Sequence, residues 1–126
     1  MIAYLDTQVA VWLHAGSVGK LSREAKRQLE NNDLLISPMV LLEFQYLRDR
    51  RRIRVDAMPL YNYLDSTFGV RLCDFPFAAT VVEALSIGWT TDPFDRIIVA
   101  HAKANRESIL ITADEKIQEH YRRAVW

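Results

Sequence analysis

The sequence predicts an α/β domain: a parallel sheet with helices on both faces. Three observations carry that expectation. Short, almost uninterrupted apolar runs at residues 1–5, 34–37, 70–73 and 108–112 have the length and composition of strands buried on both sides. Between them lie stretches with helical spacing and recognisable helix start and stop residues. The two kinds of segment alternate, which is the pattern of strand–helix–strand units. With 126 residues, the chain suffices for one compact domain over residues 1–126 and is too short for two.

The elements follow in order. Residues 1–5 form a uniformly apolar strand, and residues 7–14 (TQVAVWLH) a short helix ended by the Ala15-Gly16-Ser17 turn. Ser22 caps a second helix over residues 23–31, with Ala25 and Leu29 facing inward. A second strand at 34–37 runs into Ser37-Pro38, where proline in the first helical turn sacrifices no hydrogen bond. That helix carries Glu43 and ends in the basic stretch Arg48-Asp49-Arg50-Arg51-Arg52-Ile53-Arg54. Residues 56–68 form another helix, closed by Gly69, and 70–73 a third strand. An amphipathic helix over 78–87 stops at Gly88, and a further helix spans 93–105. The fourth strand occupies 108–112, and residues 124–126 supply a fifth at an edge.

Lys plus Arg and Asp plus Glu each number 16, so the net charge is near zero. This argues against a bulk electrostatic nucleic-acid binder, leaves local patches open, and fits a chain that works with a partner or as an oligomer. Cys73 is the only cysteine, which excludes an internal disulfide or thiolate metal site and suits a reducing cytoplasm. No segment has the length and apolarity of a membrane span, and the N-terminus enters a strand rather than a signal peptide.

Four acids stand where a small α/β chain would not place charge for solubility. Glu43 has Met39, Val40, Tyr46 and Leu47 as its helical neighbours, an apolar face with no cation. An isolated ionised carboxylate there costs several kcal/mol, so it is neutralised, paired or metal-bound. Asp6 follows Ile2-Ala3-Tyr4-Leu5, Asp114 follows Ile109-Leu110-Ile111-Thr112, and Asp95 shares its helical face with Ile98, Val99 and Ala102. In parallel sheets, ligands bind beyond the carboxyl ends of the strands. Gathered there, Asp6, Glu43, Asp95 and Asp114 describe an oxygen site for a hard cation, Mg²⁺ or Mn²⁺.

Each acid also has an ordinary role. Asp6, Asp92 and Asp114 precede helix-like segments and suit N-caps, Asp92 most clearly because Pro93 follows. Asp95 suits the third position of a helix, where the dipole favours an acid, and Glu43 could pair with a distant arginine. The basic run is ordinarily a solvated helix end; beside a nuclease site, Arg50, Arg51 and Arg52 would contact RNA phosphates. His14, His101 and His120 lack zinc-helix spacing, and there is no glycine-rich phosphate loop or serine or cysteine triad motif.

In order and spacing, these motifs resemble the PIN-domain ribonucleases, and within them the VapC-type toxins of toxin–antitoxin pairs. The likeness rests on Tyr4-Leu5-Asp6-Thr7, Ser37-Pro38 with Leu42-Glu43-Phe44, Thr91-Asp92-Pro93-Phe94-Asp95-Arg96 leading into Ile97-Ile98-Val99-Ala100-His101-Ala102, and Leu110-Ile111-Thr112-Ala113-Asp114-Glu115. The resemblance implies a three-layer fold with strand order 3-2-1-4-5, making the strands before Asp6 and Asp114 neighbours. It implies a metal-dependent endoribonuclease that is the toxin of a toxin–antitoxin pair. Asp6, Glu43, Asp95 and Asp114 would be catalytic and would hold Mg²⁺ or Mn²⁺, with Asp92, Thr7 and Thr112 in support. It further implies an RNA substrate, a cognate antitoxin and a homodimer, with Val11, Trp12 and Leu13 as antitoxin contacts or core. His101 departs from the amide common in the subgroup and should leave the ligands untouched. Two other readings remain: a non-catalytic partner-docking module, and a PIN-type DNA or flap nuclease.

Overall fold

A computed structural model describes all residues, 1–126. The elements are β1 (Ile2–Leu5), α1 (Thr7–Ala15), α2 (Arg23–Asn31), β2 (Asp33–Ile36), α3 (Pro38–Asp49), α4 (Ala57–Phe68), β3 (Arg71–Leu72), α5 (Phe77–Ala84), α6 (Pro93–Ala104), β4 (Ile109–Ile111), α7 (Glu115–His120) and β5 (Ala124–Val125), with one 3₁₀ turn at Val18–Lys20. The sheet is parallel throughout, in the order β3-β2-β1-β4-β5. Ala3, Tyr4 and Leu5 of the central strand are all fully buried. Successive strand residues point to opposite faces, so helices cover both. The α/β class, the strand order and the two-sided covering all match the sequence-based expectation.

Local chemistry explains most boundaries. Ser22 Oγ accepts from the Ala25 amide and Ser37 Oγ from the Met39 amide, capping α2 and α3. Gly16 and Gly69 end α1 and α4 with φ of +71° and +70°, a region that suits glycine. The differences are local. The helix expected over 78–87 starts at Phe77 and stops at Ala84, because Ser86 and Ile87 turn back in i→i+3 bonds to Glu83 and Ala84. The strand expected at 70–73 shortens to Arg71–Leu72, although the Cys73 amide still donates to Ile36 O. The 3₁₀ turn at Val18–Lys20 was not expected, and α7 was expected only as an unbounded helix-like segment.

From β1 the chain crosses to β2 on one side and returns later to β4 on the other, so strand order reverses at β1. In open parallel sheets such a reversal marks where ligands bind, here beyond the carboxyl ends of β1 and β4. The Asp6 amide donates to Ile111 O at 3.0 Å, extending the ladder one residue and fixing Asp6 there. No helix is long and apolar enough to cross a membrane.

Candidate active site

Asp6 is the anchor. Only 7% exposed, it accepts from the Thr7 amide on Oδ1 (2.8 Å) and from Thr112 Oγ1 on Oδ2 (2.6 Å). Burial pushes its pKa up; the two hydrogen bonds oppose that, while Asp114 and Asp92 push it further. Thr112 Oγ1 also accepts from the Asp114 amide at 3.0 Å, so one buried hydroxyl ties Asp6 to the turn that carries Asp114. Thr7 Oγ1 reaches the other way and donates to Glu43 Oε1 on α3. Glu43 is half-buried, and burial raises its pKa, with Asp6 and then Asp92 adding to the effect.

Asp95, the third residue of α6, feels the whole group. Burial first, then Asp6, Asp92, Asp114 and Glu43, push its carboxyl up to about 7. The structure thus brings all four sequence-selected acids into one locality, with Asp92 beside them. None of the five belongs to an ion pair. Part of their compensation is helical. Asp6, Asp92 and Asp114 are the N-caps of α1, α6 and α7, whose amino ends point positive partial charge at the cluster. The capping role and the clustering role are therefore not alternatives. Asp92 and Asp114 each use Oδ1 for the cap, toward the Asp95 and Ile117 amides, and leave Oδ2 free.

The donor set is hard oxygen, which fits Mg²⁺ or Mn²⁺. Without an ion the side chains are not closed into a cage: no three acidic, histidine or cysteine groups converge tightly enough to enclose one. Mg²⁺ does not require such a cage, because it commonly keeps several waters and takes one or two carboxylates together with substrate phosphate.

The remaining sequence-selected residues divide. His101 is fully buried; Ser37 Oγ donates to its Nδ1 at 2.7 Å, and its Nε2–H points to Phe75 O at 3.5 Å. Burial lowers its pKa, so the ring is a neutral clamp between α3, α6 and the loop before α5. Arg50 lies over the Tyr46 ring (5.6 Å), Arg51 is exposed, and Arg52 turns toward α1. Val11 and Trp12 are half-buried and Leu13 is buried. Sequence reasoning missed Thr90, which is buried and accepts from the Asp92 amide at 3.1 Å, as Thr112 does from Asp114. A signal was available: Thr90-Thr91-Asp92 and Thr112-Ala113-Asp114 share a Thr-x-Asp spacing, and each presents a capping aspartate to the cluster.

The PIN domain family matches residues 3–123, nearly the whole chain and every residue of the cluster. The chain belongs to the PIN domain family. Among curated proteins none matches its sequence. Solved structures similar to this PIN domain include a toxin–antitoxin complex from Klebsiella pneumoniae, at 20% identity and a TM-score of 0.69 over 98% of this chain and 96% of that one. VapBC2 from Rickettsia felis, bound to a DNA fragment from its promoter, matches at 20% identity and 0.62 over 99% and 96%. VapBC-1 from nontypeable Haemophilus influenzae matches at 18% and 0.59 over 100% and 96%. At these identities the likeness is one of fold.

Proposed function

We propose that this PIN domain is a metal-dependent endoribonuclease of VapC type, the toxin of a toxin–antitoxin pair, acting in the cytoplasm. The observation that carries the reading is the cluster itself: five acids gather beyond the ends of β1 and β4, none in an ion pair, and one of them is pushed up to about 7. Such perturbation in a cleft marks a functional site more often than a structural one.

Asp6, Glu43, Asp95 and Asp114 would hold Mg²⁺ or Mn²⁺. A bound ion supplies a water acidic enough to attack phosphorus at neutral pH and positive charge for the non-bridging phosphate oxygens. Thr112 holds Asp6 and Thr7 holds Glu43 in fixed rotamers, so both carboxylates present oxygen to the cluster without rearranging. Asp92 holds the first turn of α6 in place and so positions Asp95. Burial and the neighbouring acids hold the Asp95 carboxyl up to about 7, so a bound cation would favour its ionised, ligating form. In-line attack on the phosphodiester leaves 5′-phosphate and 3′-hydroxyl ends.

The partner reading rests on two supports. The similar solved structures are a toxin–antitoxin complex and two VapBC proteins. An apolar groove of about 360 Å³ between α1, α2 and α4, lined by Leu13, Val18, Leu21, Leu29, Leu34 and Phe68, suits the apolar face of an antitoxin helix. Homodimer formation is consistent with the exposed Phe77, Val81 and Val82 of α5 and Leu85 just beyond it.

The test is cleavage of a mixed RNA pool by the purified chain with Mg²⁺, with Mn²⁺ and with EDTA, beside Asp6→Ala. Cleavage that requires the ion and disappears in Asp6→Ala supports the nuclease. Normal cleavage by Asp6→Ala would remove the site assignment. Failure to bind Mn²⁺ at all, measured calorimetrically, would favour the partner-docking module. Preference for structured DNA over RNA would favour the flap nuclease.

A further inference from the structure

The acid cluster has a counterpart of opposite sign on α1. A pocket of about 420 Å³ starts at Gln8, in the first turn of that helix and next to Thr7, and runs along the face marked by Val11, Trp12 and Ala15. From Gln8 to Ala15 is about 10 Å of helix. Its far wall is the connection between α3 and α4. Lys20, Arg52 and Arg54 line the pocket, all three are exposed, and no carboxylate is among the lining residues. None of the three cations has an acidic partner, although Arg27, Arg48, Arg71, Lys103 and Arg122 elsewhere each have one.

Local backbone geometry builds this wall. Beyond α3, Arg51 adopts a left-handed conformation (φ +59°), and the Arg51 and Arg52 amides donate back to Arg48 O and Leu47 O. This is the helix-ending motif usually given to glycine. It reverses the chain, so that Arg52 and Arg54 face α1 instead of continuing outward along the helix axis. Three cations without a carboxylate partner in a concave site, Lys20 lying over the Trp12 ring at 5.8 Å, on a chain of zero net charge, make a local anion site.

We infer that this pocket holds the phosphodiester backbone of single-stranded RNA flanking the bond cut at the acid cluster, with Lys20, Arg52 and Arg54 on its phosphates. The inference rests on the ribonuclease reading and supplies what that reading lacks, since the cluster itself repels a polyanion. A strand that places one phosphate at Asp6 must leave the cluster, and α1 leads from Asp6 directly into the pocket. An acidic peptide in the same pocket would carry carboxylates toward the cluster and gain nothing there.

The experiment measures binding of a fluorescein-labelled, mixed-sequence single-stranded RNA in EDTA across a salt series. The wild type is compared with Lys20→Gln/Arg52→Gln/Arg54→Gln and with a control of equal charge change, Arg23→Gln/Lys26→Gln/Arg106→Gln. Each single-strand phosphate contact contributes about 0.7 to the slope of log affinity against log salt. The pocket variant is expected to bind more weakly with a slope shallower by about 2, and the control to keep the wild-type slope. All six positions are exposed, and thermal melts verify that both variants fold. Equal slopes in the pocket variant and wild type overturn the inference, as does an equal loss in the control. Loss of poly-glutamate binding with RNA binding intact overturns it in favour of an acidic protein segment. Parallel cleavage with Mn²⁺ separates the two readings: a wild type that cuts RNA while the pocket variant keeps its slope removes the pocket alone, and a wild type that neither binds nor cuts removes both.

Discussion

Two buried polar networks flank the central strand, and they are built on opposite principles. Beyond the carboxyl end of β1, two carboxyl groups, Glu43 and Asp6, are held by the hydroxyls of Thr7 and Thr112, and neither belongs to an ion pair. Two residues before Asp6, the Tyr4 hydroxyl enters a second network. There it lies 2.8 Å from Cys73 Sγ and accepts from Asn105 Nδ2 at 2.8 Å, while its ring stacks on His101. The neutral network is satisfied: burial pushes the Tyr4 phenol above its ordinary range and the His101 ring below its own, so neither ionises near pH 7. It can only stabilise. The acidic network opposes folding until something positive arrives. The contrast separates scaffold from site within a few ångströms of one strand, and it is the usual signature of stability given up for function.

The sharpest way to break the contrast is to remove one charge and keep its hydrogen bonds. Asp6→Asn keeps Oδ1 as acceptor for the Thr7 amide and puts an N–H where Oδ2 was, which can donate to Thr112 Oγ1 in a reversed bond, so the fold should persist with an unchanged or higher melting temperature in EDTA. RNA cleavage should fall more than about a hundredfold, beyond the scale of losing a supporting hydrogen bond. A melting temperature well below wild type would mean that Asp6 is chiefly a cap. Thr112→Val keeps the volume and deletes the hydroxyl that joins Asp6 to Asp114. Isothermal titration should then show Mn²⁺ affinity about 10- to 100-fold lower. An unchanged affinity would reduce Thr112 to a turn residue.

The pH dependence follows from Asp95. Its folded pKa lies near 7 against an ordinary 3.8, so the folded chain binds more protons than the unfolded one between those values. Stability is therefore fully present below about 4 from this group and is lost as pH rises through about 7. Melting in EDTA should drop by a few degrees between pH 5 and pH 8, on the order of what a modest free-energy change produces in a domain this size. Saturating Mg²⁺ should flatten the slope. A melting temperature that rises over that interval would contradict the burial-and-repulsion account. The smallest effect belongs to the neutral side. Tyr4→Phe leaves Asn105 and Cys73 without their shared partner and should cost about 1 kcal/mol in urea unfolding. Cleavage should be untouched; a large loss would couple the two networks after all.

The sequence made the acidic network far more legible than the neutral one, for a physical reason. A carboxylate on an apolar face, as at Glu43, or just after an apolar run, as at Asp6, violates the expected pattern and announces itself. Tyr4 in a strand or Asn105 after a helix violates nothing, and their meeting with Cys73 depends on packing between segments far apart in sequence. The strands were readable because burial on both faces leaves no alternation to misjudge. The end of α5 was less so, since Leu85 and Ser86 carry no glycine or proline to mark a stop before Gly88. The wall formed by Arg52 and Arg54 was hidden for a related reason: the left-handed residue that turns it is an arginine, where a glycine would have given a signal.

The central position of β1 also has a consequence for how the molecule comes into being. Asp6 is clamped by Thr112, a contact spanning 106 residues, and β1 meets β4 only after most of the chain has been synthesised. Parallel pairing over such separations is slow and unrewarded until both partners exist. A nascent chain emerging from the ribosome therefore carries Asp6 long before Thr112 and cannot assemble the acid cluster until β4 follows.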